Sequence, residues 1–138
     1  MKIDEINNGI VLDHIKAGNS MKIYKYLDLD KLNCTVAIIR NVKSTKMGKK
    51  DIIKIDSLIE INLDVLGYID PGITVNIITN GVITDKHNLE LPVMLKNVLH
   101  CKNPRCITSV EPQLDSIFVL ADRENRIYRC DYCEAESN

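Results

Sequence analysis

Tryptophan is missing from this chain of 138 residues, phenylalanine occurs once, and aromatic residues make up only 4% of it. Platforms for stacking bases are therefore scarce, which argues against recognition of single-stranded nucleic acid. An excess of one charge is missing as well. The 18 Lys and Arg are matched by 19 Asp and Glu, for a formal net charge of −1, and the segments on either side of Pro92 are each close to neutral. Nucleic-acid binding draws much of its free energy from neutralising phosphates, so a basic module is excluded and only local patches remain to hold an anion. No apolar run approaches the ~20 residues that cross a bilayer, and no secretory leader is recognisable. A cytoplasmic protein is expected, with neither nucleic acid nor membrane among its partners.

Catalytic signatures are equally sparse. There is no Gly-x-Ser-x-Gly, His-Glu-x-x-His or Walker sequence. Cys34 sits in an apolar run, where thiols pack rather than react, and His14, His87 and His100 have no evident nucleophile beside them. The chain reads as a non-enzyme. Its hydrophobic content of 45% is ample for a folded core, which must be built from Ile, Leu and Val.

Against these absences the cysteines are concentrated. Four of the five lie near the C-terminus as Cys101-x4-Cys106 and Cys130-x2-Cys133. Tight turns aim thiolates spaced in this way at one tetrahedral ion, with Zn–S bonds of about 2.3 Å. Disulfides would use the same residues, but an intracellular chain with Cys34 left over favours the metal. Four cysteines fill the shell, so the expected cofactor is one structural Zn²⁺ per chain rather than a catalytic one. His100 adjoins the first ligand and is not needed.

The apolar pattern gives an order of elements. Gly9 to Ile15 reads as a strand, and Ala17-Gly18-Asn19-Ser20 as a turn and helix cap. Residues 21–30 read as a helix on the spacing of Met21, Tyr24 and Leu27. Strands follow at Cys34 to Ile39 and Asp51 to Ile55, forming a hairpin through a loop at 43–50. Residues 59–69 form a second amphipathic helix, stopped by Asp70-Pro71-Gly72. Ile73 to Ile78 is the last clear strand, with a short one at 81–86. This βαββαβ order predicts an α+β, ferredoxin-like unit: a four-stranded antiparallel sheet with both helices on one face. Leu89 to Pro92 reads as a linker. The division is then 1–92 for this unit and 93–138 for a small β zinc ribbon, whose core is too small to be secure without its metal.

Asp13 and His14 at the end of the first strand, with Lys49, Lys50 and Lys54 on or near the hairpin, Lys43 and Lys46 in its loop and Lys86 further on, could surround a nucleotide. Carboxylates accept from ribose hydroxyls, and ammonium groups suit a polyphosphate. The same lysines also fit a solvated face. Geometry raises an objection, because successive strand residues point to opposite faces. Asp13 and His14 can share a ligand only where the strand bends or ends.

The stretches Gly9 to Ile15, Met47-Gly48-Lys49-Lys50-Asp51, Thr74-Val75-Asn76, Asn97 to Cys106, Glu111-Pro112 and Cys130-Asp131-Tyr132-Cys133 resemble the aspartate carbamoyltransferase regulatory chain family. The resemblance implies a subunit without its own activity, an allosteric nucleotide-binding domain that senses CTP, ATP and also UTP, and a zinc domain docked on a catalytic chain of pyrimidine biosynthesis. It also implies a homodimer of regulatory chains within a dodecamer of six regulatory and six catalytic chains. Position by position, Asp13 takes the ribose, His14 and Lys86 the triphosphate, and Lys54 the pyrimidine, with Lys50 beside it. Ile3, Asp4, Ile6, Val11, Ile52, Asn76 and Ile83 line the base and sugar pocket. Cys101, Cys106, Cys130 and Cys133 are the zinc ligands, and Asn103 and Glu134 belong to the catalytic-chain interface. Lys2, Gly81, Asp131 and Ala135 depart from the family pattern. The resemblance also turns the geometric objection into an expectation that the strand is irregular at Asp13. A zinc-ribbon nucleic-acid adaptor and a free-standing metabolite enzyme are the competing readings; the first needs a basic aromatic surface and the second needs turnover.

Overall fold

A computed structural model describes residues 6–137, and the chain divides into two compact units, Met1–Glu90 and Leu91–Asn138. In the first unit the elements are β1 (Gly9–Lys16), α1 (Ser20–Tyr26), β2 (Val36–Ser44), β3 (Gly48–Ile55), α2 (Leu63–Ile69), β4 (Thr74–Thr79) and β5 (Val82–Asn88). The strands form one antiparallel sheet in the order β2-β3-β1-β4-β5. The βαββαβ order is present, but the sheet has five strands where the sequence predicts four. The fifth is the short strand expected at 81–86, which joins the sheet because Asn80-Gly81, with φ values of 52° and 79°, suits a two-residue hairpin turn. That turn folds β5 back on β4, with Thr79 opposite Val82.

Several boundaries differ from the sequence pattern for identifiable reasons. Asp28 adopts φ 52°, so α1 stops at Tyr26, short of the helix expected over residues 21–30, and a single 3-10 turn, Leu29–Lys31, follows. The second helix begins at Leu63 rather than near 59, because the Asn62 side chain accepts from the Asp64 and Val65 amides at 3.1 and 3.3 Å and caps it there. The β2–β3 loop is shorter than 43–50. Lys43 pairs with Lys49 and Ser44 with Gly48, leaving Thr45, Lys46 and Met47 as the tip. Cys34 precedes β2 and packs against the core instead of lying in the strand.

Alternation along the strands decides the two faces. Ile10 stands opposite Ile55 and Ile77, and Leu12 opposite Ile53 and Val75. These side chains meet Ile23 of α1 and Leu66 of α2 in the core. Val11 falls on the other face, in a cross-strand row of Lys54, Val11, Asn76 and Lys86. The helices therefore cover one face and leave the row uncovered among the described residues.

Two carboxylates fix the far end of β1. Asp51, fully buried, accepts from the Gly18 amide at 3.1 Å and the Asn41 amide at 3.0 Å, tying β3 to the turn before α1 and to an irregularity in β2. Asp70 accepts from the Lys16 amide at 2.8 Å and the Gly72 amide at 3.0 Å, joining β1 to the turn after α2. Burial pushes the Asp51 carboxyl up, but the hydrogen bonds from the Asn41 and Gly18 amides outweigh it and hold the group below its usual range.

The second unit is a three-stranded antiparallel sheet of β6 (Met94–Lys96), β7 (Ile117–Asp122) and β8 (Ile127–Cys130), with a single helical turn α3 (Ile107–Val110) between β6 and β7. Its core is Leu95, Phe118 and Tyr128. The chain's one phenylalanine is thus placed where the core is smallest. The Tyr128 hydroxyl donates to the Pro92 carbonyl at 2.7 Å, which satisfies its polar end. Among the described residues, no helix is long and apolar enough to cross a membrane.

Asp51→Ala orphans two amides and should lower stability by about 1–3 kcal/mol in urea titrations of the full chain. The depressed carboxyl makes its contribution complete above pH 3.8, the ordinary value, and lost as the pH falls through the folded value. The deficit of the variant should therefore shrink in acid.

Candidate nucleotide face and metal centre

Between Leu12 and Ile15 the β1–β3 register slips by one residue. Leu12 and Ile15 are both fully buried on the helix side, so the two residues between them are displaced together to the open face. His14 takes φ 59° to make this possible. The Asp13 carboxylate accepts from the His14 amide at 2.6 Å and pairs with the Lys50 ammonium at 2.9 Å. His14 Nδ1 lies 3.2 Å from Thr74 Oγ1 on β4. The strand is irregular where the sequence reading required it to be, and it runs on to Lys16 rather than ending at His14.

Burial raises the Asp13 carboxyl, but Lys50 and the His14 amide more than compensate and keep it below the usual range. Lys50, Ile52 and Lys54 alternate onto the same face of β3, and Asn76 follows Thr74 on β4. From β5 come Lys86, opposite Asn76, and Ile83, opposite Ile78 and 61% exposed. Ile6, Val11, Lys54, Ile78 and Gly81 enclose a hollow of about 230 Å³. Ile3 and Asp4, and Lys2 with them, lie outside the described residues. Asn76 is 9% exposed and its Oδ1 has no hydrogen-bond partner among the described residues. A buried acceptor left in this way carries a desolvation cost that a ligand donor would relieve.

Thr74 escaped the sequence reading as a site residue. Its contact with His14 exists only because the bulge turns the imidazole toward β4. A signal that could have flagged it is the pairing of a hydroxyl with the Asp-His step across one ladder.

The second unit brings all four C-terminal cysteines together. Their sulfur atoms lie within 4.8 Å of one another, with Cys101–Cys133 at 3.5 Å and Cys106–Cys130 at 3.7 Å. Tetrahedral bonds of about 2.3 Å predict sulfur–sulfur edges of ~3.8 Å, so the quartet fits a metal ion. None of the five cysteines is in a disulfide here, and the sulfur separations of 3.5 and 3.7 Å are those of ligands around an ion rather than of bonded pairs. Each short edge joins one sulfur from each turn, so an ion held here ties the loop before α3 to the end of β8.

The first turn is organised by Asn103, whose carbonyl accepts from the Cys106 amide at 3.1 Å and whose side chain accepts from the Arg105 amide at 3.1 Å. In the second, the exposed Glu134 adopts φ 65° and donates its amide to the Cys130 carbonyl at 2.8 Å. Asp131 is exposed beside it, and the Ala135 carbonyl accepts from the Cys130 amide at 2.9 Å. Burial pushes the Cys101 thiol up to about 12, whereas the Thr108 hydroxyl draws Cys106 down to about 6 and the Ala135 amide lowers Cys133. Thiolates this close repel one another, and a divalent cation removes that repulsion.

Because the core of this unit is small, chelation of the metal-loaded chain should unfold residues 91–138 while the five-stranded sheet persists. Hydrogen exchange read by mass spectrometry should show protection lost in β6–β8 and kept in β1–β5. Equal protection in both units after the metal is removed contradicts a structural role.

The chain matches two family models in succession: the allosteric domain of the aspartate carbamoyltransferase regulatory chain over residues 1–90, and its metal binding domain over residues 94–138. Among curated proteins it is 53% identical to an aspartate carbamoyltransferase regulatory chain of Clostridium botulinum, covering 97% of this chain and 92% of the relative. It is 51% identical to one of Clostridium tetani, covering 97% and 94%, and 42% identical to one of Bifidobacterium longum, covering 99% of both. Family models matching over both units, together with relatives covered almost end to end, show that the chain belongs to the aspartate carbamoyltransferase regulatory chain family.

Proposed function

We propose that this chain is a cytoplasmic, non-catalytic subunit that binds CTP and ATP, with UTP as a further effector, and transmits their binding to aspartate carbamoyltransferase catalytic chains. The allosteric unit is taken as residues 1–92 and the docking unit as 93–138. The observation that carries the reading is the bulge, which sets Asp13 and His14 on the open face beside Lys50, Lys54 and Lys86. A carboxylate for the ribose, cations for the phosphates and the free Asn76 acceptor then face one ligand. Ile6, Val11, Ile52 and Ile83 supply apolar walls, and Ile3 and Asp4 complete the pocket in this reading. Thr74 orients His14.

Regulation follows from linkage. CTP and ATP compete for one pocket, and only a difference in affinity between two quaternary states shifts the partner. A purine is wider than a pyrimidine, so the two effectors set the strands of the pocket differently. Cys101, Cys106, Cys130 and Cys133 hold one Zn²⁺, which supplies no reaction chemistry and fixes the surface on which Asn103 and Glu134 meet the catalytic chain. Paired allosteric units form the regulatory dimer, and six regulatory with six catalytic chains form the assembly.

Calorimetry on the zinc-loaded chain should detect CTP and ATP below millimolar concentration, and silence from both overturns the reading. Lys86→Ala should weaken CTP by about 10–100-fold, the worth of a hydrogen bond to a charged group, while leaving cytidine nearly unchanged. Equal losses for nucleotide and nucleoside contradict its phosphate role.

A further inference from the structure

The metal turn that ends at Cys106 is followed, after Ile107, by two hydroxyl residues, and both point back into it. Ser109 Oγ donates to the carbonyls of Asn103 at 2.8 Å and Cys101 at 3.2 Å, closing the loop as backbone scaffolding. Thr108 does something different: its Oγ1 lies 3.1 Å from the Cys106 sulfur. A threonine inside a helix can bond to the carbonyl three or four residues earlier. Thr108 is the second residue of a single helical turn and has no such helical carbonyl available. Cys106 is 2% exposed, so water has little access to its sulfur.

Resting on the reading of the four cysteines as a metal centre, we infer that Thr108 is a positioning residue of that centre, its hydroxyl donating a hydrogen bond to the Cys106 thiolate. A metal-bound thiolate carries no proton, so in the loaded protein the hydroxyl is the donor. The bond fixes the sulfur's direction toward the ion and takes up part of its negative charge. Removing it leaves a more nucleophilic sulfur that is held less well. Partners of this kind outside the ligand shell typically contribute about 10–100-fold in metal affinity.

The test uses the full chain loaded with Zn²⁺, as wild type, T108V and T108S. Two quantities are read: zinc transfer to a chromogenic chelator, and alkylation of Cys106 by iodoacetamide, in which the thiolate displaces iodide, mapped by mass spectrometry. T108V should have zinc affinity about 10–100-fold lower and Cys106 alkylated faster, while T108S, which keeps the hydroxyl, stays near wild type. A T108V chain that never loads while T108S loads fully supports the same conclusion, since valine and threonine have the same shape. T108V indistinguishable from wild type in both measurements, or T108S as impaired as T108V, overturns it. A wild-type chain that takes up no zinc fails differently, because it removes the metal centre itself.

Discussion

A β-strand lets two successive side chains share a face only where its ladder is broken, and β1 breaks once, between Leu12 and Ile15. The single extra residue keeps both flanking side chains in the core and turns Asp13 and His14 outward together. His14 accepts a left-handed backbone to do so, a conformation that costs a non-glycine residue of order 1–3 kcal/mol. Contacts on both sides hold the step in place: Lys50 of β3 pairs with Asp13, and Thr74 of β4 meets His14. Beyond the bulge, Asp51 and Asp70 anchor the end of the strand through backbone amides. The polar face is therefore supported by the same sheet whose other face is the aliphatic core.

The second unit solves a different problem. With few aromatic residues and a core of three large side chains, it has little apolar area to bury. Its sulfur quartet connects two turns distant in sequence, and the hydrogen bonds of Asn103, Thr108 and Ser109 prearrange the first turn. The C-terminal end is tied back as well. Arg129 meets Glu136 at 2.9 Å, and the Ser137 amide donates to the Tyr128 carbonyl at 3.0 Å. Positive charge, negative charge and metal geometry thus converge on one short stretch of β8.

Much of this was legible in the residues. The alternation of Ile10, Leu12, Ile53 and Ile55 reveals the strands because one face is buried, and the cysteine spacing reveals the metal turns because tetrahedral geometry restricts them. The Asp13-His14 step even exposed a conflict with strand periodicity that only an irregular strand resolves. Features set by register were not legible. Nothing local in Thr74 announces His14, and nothing in Thr108 distinguishes it from Ser109. The Asn62 cap, which fixes the start of α2, does not show in the apolar pattern, and the short strand expected at 81–86 is present but its pairing onto β4 through the Asn80-Gly81 turn is not.

The fifth strand has a mechanical consequence. All seven residues of β5 are exposed, and among the described residues the strand is paired only with β4, with a register slip between its partners Ile77 and Ile78. A border held along one side yields before the interior does. The Gly81 turn that leads into β5 lines the hollow, whose other described walls stand on β1, β3 and β4, so this compliant border adjoins the hollow and carries Ile83 and Lys86 beside it. On the proposed nucleotide reading, a wider occupant would move that border first, turning molecular width into strand displacement while the buried layer beneath stays put.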